Sequence, residues 1–268
     1  MGSVLRIQDI FIYPIKSLGG IRLEKAIVEE RGFRFDRRWM LVTPDGMFVS
    51  QRKHPKMALL QVKVDQDGLL VFERARPENF ILIPFEQQTD ESLTVRVWDD
   101  EMKAARVGES FDQWFSEFLE MELFLVKISE QTHRKVSQKY SVKDESVSFA
   151  DGMPYLVIGQ SSLDELNSRL ELPVNMDRFR PNIVFSGGTA FQEDNLKRIR
   201  IGQVLFQVVK PCARCVMITV DQHTGEGGKE PLKTLSSYRK IGNKVLFGQN
   251  AVALESGKIQ VGDLVTPL

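Results

Sequence analysis

The chain has 268 residues, 42% of them hydrophobic, and its 36 lysines and arginines balance 36 aspartates and glutamates. A balanced charge argues against bulk attraction to nucleic acid or to an anionic membrane, although it allows a local basic pocket. The chain has two cysteines, no signal-peptide pattern and no apolar run near the ~18 residues of a membrane span. We therefore expect a cytoplasmic protein with neither nucleic-acid nor membrane partners.

Short apolar runs recur through the first 128 residues, and turn residues such as Pro44-Asp45-Gly46 separate them. Runs of this length, rich in β-branched or alternating apolar residues, predict strands. The expected strands cover residues 5–12, 21–30, 39–42, 47–50, 59–64, 69–72, 80–84, 93–98 and 123–128. Residues 109–120 differ, because Phe111, Trp114, Phe115 and Phe118 recur at helical spacing and predict an amphipathic helix packed on the core. The first half is therefore β-rich, a barrel or a sandwich.

Residues 129–146 are polar with few apolar anchors and predict a long flexible loop, where we place a domain boundary. This gives two β-rich domains, residues 1–128 and 129–268. In the second domain the expected strands cover residues 155–158, 183–185, 199–201, 204–209, 216–220, 251–254 and 264–265. A helix over residues 163–170, capped by Ser161 or Ser162 with Glu165 completing a capping box, and a short helix over 232–238 are also expected. The predicted fold class is mainly β (α+β), with a few short helices.

One loop and three turns carry basic side chains in this otherwise neutral chain. They carry Lys16 with Ser17, Arg37, Arg180 and Arg214. Gly19-Gly20 follows the Lys-Ser pair and would let the backbone approach an anion closely. Asp36 beside Arg37 could fix the direction of its guanidinium, and Arg180 stands in a turn that leads into a buried strand. If these segments converge, they form an anion-binding pocket; otherwise they are solvated lysines and surface turns.

The two cysteines, Cys212 and Cys215, flank Arg214 in the stretch KPCARC. The apolar run 216–220 after them predicts a strand, and Pro211 before Cys212 favours a loop or a strand edge. We therefore expect both thiols on a loop that leads into a strand. An arginine beside a thiol favours the thiolate, which is the form that attacks electrophiles and binds metals.

Several uses of this cysteine pair stay open. A structural disulfide is a weak interpretation, because the ring would be small and strained in a reducing interior. Zinc is weak too, since His54, His133 and His223 lack paired spacing. A thioredoxin-type pair normally stands where a strand turns into a helix, whereas a strand is expected to follow here. The other interpretations are a soft ligand to a redox metal, a sulfur carrier, or two buried small residues.

Seven motifs, in order over nearly the whole chain, resemble those of MOSC-domain proteins of the type with an N-terminal MOSC-associated β-barrel domain. The motifs are YPIKS (13–17), FDR (35–37), FADG (149–152), FRPN (179–182), KPCARC (210–215), EPLKTL (230–235) and FGQN (247–250). This type includes the mitochondrial amidoxime-reducing component and bacterial relatives that detoxify N-hydroxylated bases. The resemblance implies an N-terminal β-barrel-like domain over residues 1–128 and a C-terminal MOSC β-barrel domain over residues 129–268.

The resemblance also implies a molybdenum cofactor, a pterin whose dithiolene holds the metal and which carries a phosphate tail. It assigns Cys215 as the protein ligand to molybdenum, which is apt because a thiolate suits this softer metal. The residues that it assigns to cofactor binding are Lys16, Ser17, Arg37, Arg180, Asn182, Arg214 and Cys215. Asp151, in a segment that lines the site in relatives, joins Cys215 as a catalytic candidate, whereas Cys212 is expected to be buried or weakly reactive.

The activity that the resemblance implies is two-electron reduction of amidoximes, hydroxylamines or N-hydroxylated nucleobases to amine-type products and water, with the cofactor carrying the difficult step. The chain has no cysteine cluster for an iron–sulfur centre. A separate ferredoxin- or flavin-type protein is therefore expected to supply the electrons. Two other functions stay open: a persulfide sulfur carrier that uses Cys215, and a molybdenum-cofactor binding protein without catalysis.

Overall fold

Strands dominate the computed structural model of the chain, which describes residues 4–86 and 89–268. The strands of the first half are β1 (Arg6–Ile12), β2 (Ile21–Leu23), β3 (Lys25–Glu29), β4 (Gly32–Phe33), β5 (Trp39–Val42), β6 (Leu60–Val64), β7 (Gly68–Glu73), β8 (Arg76–Pro84), β9 (Ser92–Val97), β10 (Asp100–Arg106) and β11 (Phe124–Ile128). Helix α1 (Glu109–Leu119) lies between β10 and β11, and a 3-10 helix (Pro55–Leu59) precedes β6.

The strands of the second half are β12 (Tyr155–Gly159), β13 (Ile183–Ser186), β14 (Arg198–Ile201), β15 (Val204–Arg214), β16 (Lys240–Ile241), β17 (Lys244–Ala253), β18 (Gly257–Gln260) and β19 (Val265–Pro267). Helix α2 (Gln160–Asn167) follows β12, and α3 (Leu232–Tyr238) precedes β16. The 3-10 helices of this half are Met176–Phe179, Gln192–Asn195 and Val216–Thr219. The mainly-β fold class predicted from the sequence is confirmed.

The largest sheet has nine strands in the order β19-β14-β15-β17-β12-β13-β1-β2, with β16 paired to β17. Three smaller sheets have the orders β5-β11-β10-β9, β18-β3-β4 and β6-β7-β8. Strands β1 and β2 thus belong to a sheet of the second half, and β18 pairs with β3 of the first half. The division at residue 128 stays a proposal. Backbone hydrogen bonds cross it where β1 pairs with β13 and where β3 pairs with β18.

Three strands of the large sheet bring distant segments to one edge. Strands β12 and β13 run parallel and are joined through α2, so both begin at the same edge. Strand β1 runs antiparallel to β13, with Ile10 opposite Ile183, so β1 ends where β13 begins. The residues that follow β1 and those that precede β12 and β13 therefore meet at this edge.

Apolar side chains pack in separate clusters. One cluster contains the inward-facing residues of β1, β12, β13 and β15 in the large sheet. A second cluster packs α1 against β5, β6, β7 and β11. Phe115 and Phe118 of α1 are buried in the second cluster, which confirms the core role predicted for the aromatic stripe of this helix.

The prediction of a strand over residues 216–220 is wrong. The strand lies before this run, because β15 continues to Arg214, and Val216–Thr219 form a 3-10 helix after Cys215. Strand β15 pairs with β17 as far as Arg214 opposite Val245, and β17 begins only one residue before Val245, so the ladder ends there. Cys212 consequently lies within a strand, and Cys215 lies between that strand and the 3-10 helix.

The capping box predicted for α2 is also wrong. The helix begins at Gln160 after Gly159, without a side-chain cap among the described residues. The hydroxyl of Ser162 instead donates to Glu193 Oε2 at 2.8 Å and accepts the Phe191 N–H at 2.8 Å. These long-range partners replace the local cap, because a short hydroxyl side chain bonds whichever group the tertiary structure brings near.

Residues 129–146, which the structure describes in full, form no helix or strand, as expected of a loop. Several of their side chains are nevertheless buried, among them Arg134 and Glu145. The Arg134 guanidinium donates to the carbonyl oxygens of Ser148, Ala150 and Asp151. The loop is therefore anchored to the segment in front of β12.

Candidate functional site

A cavity of about 530 Å³ opens at the sheet edge where β1 ends and β12 and β13 begin. Parts of β15 and β17 also line the cavity, and β15 has two register shifts in this stretch. Such bulges bend a strand, which suits β15 to curve around a cavity. Seven of the eight predicted site residues line this cavity: Lys16, Ser17, Arg37, Asp151, Arg180, Asn182 and Arg214.

The cavity wall is strongly cationic in a chain whose formal net charge is +0. One acidic residue, Asp151, lines the cavity against six basic ones. The basic residues are Lys16, Arg37, Arg180, Lys210, Arg214 and Lys244. Like charges in a concave wall focus the potential, so the cavity favours an anionic ligand.

Two of these cations, Arg37 and Arg180, lie over the aromatic ring of Tyr13. The Cζ atoms of Arg37 and Arg180 lie 4.3 Å and 4.1 Å from the centre of the Tyr13 ring. The phenol donates to the carbonyl oxygen of Pro181 at 3.1 Å, which ties the segment after β1 to the segment before β13. Burial, which the nearby guanidinium charges only partly offset, raises the pKa of Tyr13 above its ordinary value. The phenol is therefore neutral at physiological pH.

Arg37 and Arg180 differ in whether the protein supplies a counter-ion. Arg37 Nη1 donates to Oδ2 of the fully buried Asp36 at 2.6 Å, which is the contact expected from their adjacency. Arg180 is 7% exposed, and its Nη1 donates to the carbonyl oxygen of Leu18 at 2.7 Å. No carboxylate among the described residues forms a salt bridge with Arg180.

Burial lowers the pKa of Arg180 to about 10, so its guanidinium remains charged at neutral pH. A buried charge without a counter-ion costs free energy that an anionic ligand would recover. Asn182 holds this part of the wall in place, because its Oδ1 accepts N–H groups from Arg37 and from Leu156.

Lys16 and Asp151 form the acidic corner of the cavity. The ammonium of Lys16 donates to Asp151 Oδ1 at 2.6 Å and to the carbonyl oxygen of Phe149 at 2.8 Å. Burial lowers the pKa of Lys16, and the Asp151 charge offsets this only in part. The position of Asp151 in the cleft disfavours its charged form, but the charge and hydrogen bond of Lys16 outweigh this and hold the pKa of Asp151 well below its usual range. Asp151 is therefore an ionised hydrogen-bond acceptor at neutral pH.

The backbone is strained at three of the predicted residues. Ser17, Arg37 and Arg180 have φ angles of 71°, 49° and 53°, in the left-handed region that non-glycine residues seldom adopt. Residues held in this way cluster at functional sites, where surrounding contacts over-determine the backbone. Two buried polar atoms here, Ser17 Oγ and Arg214 Nε, also have no hydrogen-bond partner among the described residues. Buried polar groups are normally paired, so these atoms point to a ligand.

The cysteines occupy different places. Cys212 is half-buried and lines the cavity, and Arg214 Nη1 donates to its Sγ at 3.0 Å while Nη2 donates to the carbonyl oxygen of Phe179 at 2.7 Å. Cys215 is a free, exposed thiol that is not part of the cavity wall. Its neighbours Arg214 and Met217 do line the wall, which places Cys215 at the margin. The roles predicted for these residues stay predictions.

Three residues with evident importance for the site were not singled out in the sequence. Tyr13 carries the two guanidinium groups, and Arg134 anchors the segment that contains Asp151. Trp98, with φ of 58°, donates its indole N–H to Asp151 Oδ1 at 3.2 Å and stacks under Arg52 at 4.4 Å. Tyr13 lies in the YPIKS motif, which was a usable signal. Trp98 and Arg134 act through residues distant in sequence, so no local pattern distinguishes them.

Gly19 and Gly20 make close contacts other than the expected approach to an anion. A Cβ atom at Gly20 would lie 2.5 Å from the Tyr13 ring, and one at Gly19 would lie 2.9 Å from the carbonyl oxygen of Leu60. Gly20 therefore makes room for the Tyr13 ring that carries Arg37 and Arg180, whereas Gly19 makes room for the backbone of Leu60.

Comparison with known proteins agrees with the motifs. The profile of the MOSC N-terminal beta barrel domain matches residues 4–122, and that of the MOSC domain matches residues 144–266. The mitochondrial amidoxime-reducing component 1 of Mus musculus is 34% identical over 97% of this chain and 81% of its own length. The chain belongs to the MOSC-domain family.

Other MOSC relatives include the mitochondrial amidoxime-reducing component 1 of Homo sapiens, 32% identical over 97% of this chain and 82% of its own length. The molybdenum cofactor sulfurase of Oryza sativa subsp. japonica is 32% identical over 92% of this chain, which spans only 32% of that protein. Within residues 4–86 and 89–268, every helix is too short or too polar to span a bilayer.

Proposed function

We propose that this MOSC protein is a molybdenum-cofactor-dependent reductase of N-hydroxylated compounds, such as amidoximes, hydroxylamines and N-hydroxylated nucleobases. A separate electron-transfer protein, of the ferredoxin or flavin type, would supply the electrons. The observation that carries the proposal is that one cavity with six basic residues and one acidic residue contains the buried guanidinium of Arg180 and the Ser17 hydroxyl, which has no hydrogen-bond partner among the described residues.

These residues fit the anionic end of such a cofactor. A phosphate accepts several hydrogen bonds and pairs well with a guanidinium fork. Arg180 has no protein carboxylate as a salt-bridge partner among the described residues, and Ser17 Oγ has no hydrogen-bond partner there. Arg37, held by Asp36, would present a cation of fixed direction to the cofactor. We therefore assign Ser17, Arg37 and Arg180 to its phosphate and pterin.

The metal would have to arrive with most of its own ligands. The described residues include no group of three or more His, Cys, Asp or Glu side chains that could hold a metal ion. A pterin dithiolene that already holds molybdenum needs little more than one protein thiolate, and Cys215 at the cavity margin is our candidate. When bound, the cofactor supplies the two-electron redox chemistry.

In the overall reaction the N–O bond of the substrate breaks, and two electrons and two protons are taken up to give an N–H product and water. Asp151 has a pKa well below its usual range, because Lys16 stabilises its charge, so it is a poor proton donor at neutral pH. Its carboxylate would instead accept a hydrogen bond from an N–H group of the substrate. Oδ1 already accepts from Lys16 and Trp98, and the side chain is 59% exposed, so the second oxygen is the one available to substrate.

A second candidate function, a persulfide sulfur carrier, rests on the exposure of the Cys215 thiol and on the similarity to the molybdenum cofactor sulfurase. Cys215 would take sulfane sulfur from a persulfide donor and pass it on. A cofactor-binding protein without catalysis would use the same basic wall.

The decisive experiment uses protein from a molybdate-fed host that makes the pterin. Molybdenum per chain is measured first, and then reduction of benzamidoxime by dithionite with methyl viologen is measured. We expect molybdenum and activity in the wild type and in Cys212→Ala, and loss of activity in Cys215→Ala.

A chain without molybdenum, or an active Cys215→Ala variant, would disprove the reductase assignment. Cyanide-releasable sulfur on metal-free wild type, absent from Cys215→Ala, would support the carrier instead. Molybdenum uptake with no reduction of benzamidoxime or of a simple hydroxylamine would leave the non-catalytic binding protein.

A further inference from the structure

The opening of the cavity carries a group of lysines beyond those assigned to the cofactor. We call Lys139, Lys210, Lys240 and Lys244 the lysine rim. Lys210 and Lys244 line the cavity, and Lys139 and Lys240 directly adjoin the lining residues Tyr140 and Ile241. Among the described residues none of these four lysines forms a salt bridge, so no carboxylate of the protein itself neutralises the rim.

Contacts in the structure bring the rim lysines together. The Nζ atoms of Lys210 and Lys139 lie 4.1 Å and 5.4 Å from the centre of the same Tyr140 ring. Strand β16 pairs with β17, with Ile241 opposite Lys244. Burial lowers the pKa of Lys210, and the ammonium groups of Lys244 and Lys139 lower it further. The loop around residue 139, strand β15 and the β16–β17 hairpin thus present one cationic surface.

Acidic residues are missing from the three stretches that build this surface. Residues 139–140, 210–217 and 240–244 contain five lysines and arginines and no aspartate or glutamate. The fifth base is Arg214. The net charge of the surface is therefore strongly positive, although that of the whole chain is zero.

Exposed apolar side chains lie within the same stretches. Ile241 is 71% exposed at the tip of the β16–β17 hairpin, and Val216, which follows Cys215, is 46% exposed. Exposed apolar side chains rimmed by polar residues mark protein-binding surfaces. At such surfaces charge contributes mainly orientation and association rate. A small anionic substrate would need neither exposed apolar residue.

We propose that the lysine rim, with Ile241 and Val216, is the docking surface for an acidic electron-transfer protein that carries a flavin or an iron–sulfur centre. This inference rests on the proposed function, because the reductase needs two electrons per turnover, which the reduced donor loses as the substrate gains them. The rim is suited to this use because it borders the cavity, and the β15–β17 pair that carries Lys210 and Lys244 reaches Arg214, one residue before Cys215. A donor held there would bring its redox centre near the bound cofactor. Complementary charge would also speed the encounter.

The test compares two double charge reversals. Lys139→Glu/Lys240→Glu changes rim lysines that do not line the cavity, and Lys25→Glu/Lys258→Glu changes two exposed lysines of the β3–β18 pair as the matched control. Two acidic donors, a flavodoxin and a ferredoxin, are each reduced by NADPH and the appropriate reductase. Benzamidoxime reduction is measured with each donor and, separately, with dithionite and methyl viologen.

We expect the rim variant to lower kcat/KM for the acidic donors by about 10-fold or more at low ionic strength, with the difference shrinking as salt is added. The control variant should retain the wild-type value, and dithionite-driven activity should be equal in all three proteins. The proposal is overturned if the rim variant matches the control, or if neither acidic donor supports turnover in protein that dithionite makes active.

A second measurement does not depend on activity. Zero-length carbodiimide cross-linking joins lysines to carboxylates, and the cross-linked lysines of the flavodoxin complex are mapped by mass spectrometry. We expect cross-links at the lysine rim, weakened in the rim variant; cross-links elsewhere would overturn the docking surface. Should dithionite fail to drive any reduction, the proposed function fails, and this mapping still decides whether the rim binds an acidic protein.

Discussion

Two clefts of this protein are lined by charged residues, and they differ in how those charges are paired. The cavity at the sheet edge has six basic residues and one acidic residue on its wall. A second cleft of about 330 Å³, beside α1 and β8, has two basic residues and three acidic ones. There Lys56 is 3.0 Å from Glu120, Arg76 is 2.7 Å from Glu73, and Trp114 Nε1 donates to Asn79.

The difference shows what marks a ligand site. In the second cleft each cation has a carboxylate from the protein itself, so an incoming anion would compete with existing pairs. In the first cavity, among the described residues, Arg180 is buried without a salt-bridge partner and the Ser17 hydroxyl has no hydrogen-bond partner. Charged residues alone therefore do not identify a site, whereas a buried unpaired charge does.

The largest effect is expected where a buried pair is broken. Arg37→Met removes the partner of Asp36, whose side chain is fully buried, so we expect the free energy of unfolding to fall by about 3–5 kcal/mol. Lys56→Met in the second cleft breaks the pair with Glu120, whose two side chains are both exposed, and should cost no more than about 1 kcal/mol. Urea denaturation of both variants at pH 7 makes the comparison. Equal losses would show that the buried pair is not special.

Substitution of Arg180, which forms no salt bridge among the described residues, should weaken cofactor binding more than it changes the stability of the protein. Arg180→Met loses a charge-assisted contact worth about 1.5–3 kcal/mol, which corresponds to about 10–100-fold weaker cofactor binding. Stability of the cofactor-free protein should change little, because the loss of the bond to Leu18 is offset by removal of an uncompensated buried charge. Molybdenum content and thermal denaturation measure the two effects. A large loss of stability with normal molybdenum content would contradict the assignment.

A smaller difference in stability is expected between the variants that lose the Ser17 hydroxyl and the Ser162 hydroxyl. Ser17→Ala removes a buried oxygen that has no hydrogen-bond partner within residues 4–86 and 89–268, so the cofactor-free protein should be as stable as the wild type or slightly more stable. Ser162→Ala leaves Glu193 Oε2 and the Phe191 amide without a partner and should cost about 1–3 kcal/mol. Thermal denaturation of the two variants decides. Equal destabilisation would mean that Ser17 has a structural partner.

The smallest effect concerns the acidic corner and depends on pH. The folded-state pKa of Asp151 is lower than its ordinary value of 3.8, so its contribution to stability is present above that value and is lost as pH falls through the folded-state pKa. Asp151→Asn should therefore lower stability at pH 6, by no more than about 1 kcal/mol because the side chain is 59% exposed. The difference from wild type should shrink as pH falls below 4. Denaturation curves of the wild type and the variant at pH 6 and below pH 4 measure this difference in stability. A difference that does not change with pH would refute this account.

Much of the fold could be predicted from the sequence, because short β-branched runs and turn residues act locally. The strand at Trp39–Val42, which turn residues follow, was placed correctly for this reason, and the helix α3 was also placed correctly. The apolar run after Cys215 was wrongly predicted to be a strand, because its residues favour a strand locally. The strand that pairs with β15 is β17, and it begins at Lys244, so it does not extend far enough to pair with this run. The α2 cap failed similarly, since Ser162 bonds residues about thirty positions away.

The chemistry of the candidate site was already present in the sequence: basic side chains in turns, a carboxylate beside Arg37, and a thiol next to an arginine. Which charges remain without a partner was decided only by the tertiary structure. Lys16 meets Asp151 across 135 positions, and Tyr13 meets Pro181 across 168. Ion pairing acts over a few ångströms of space rather than along the chain. The parallel pairing of β13 with β12 and its antiparallel pairing with β1 decide which side chains surround Arg180, and they leave it buried with no salt-bridge partner among the described residues.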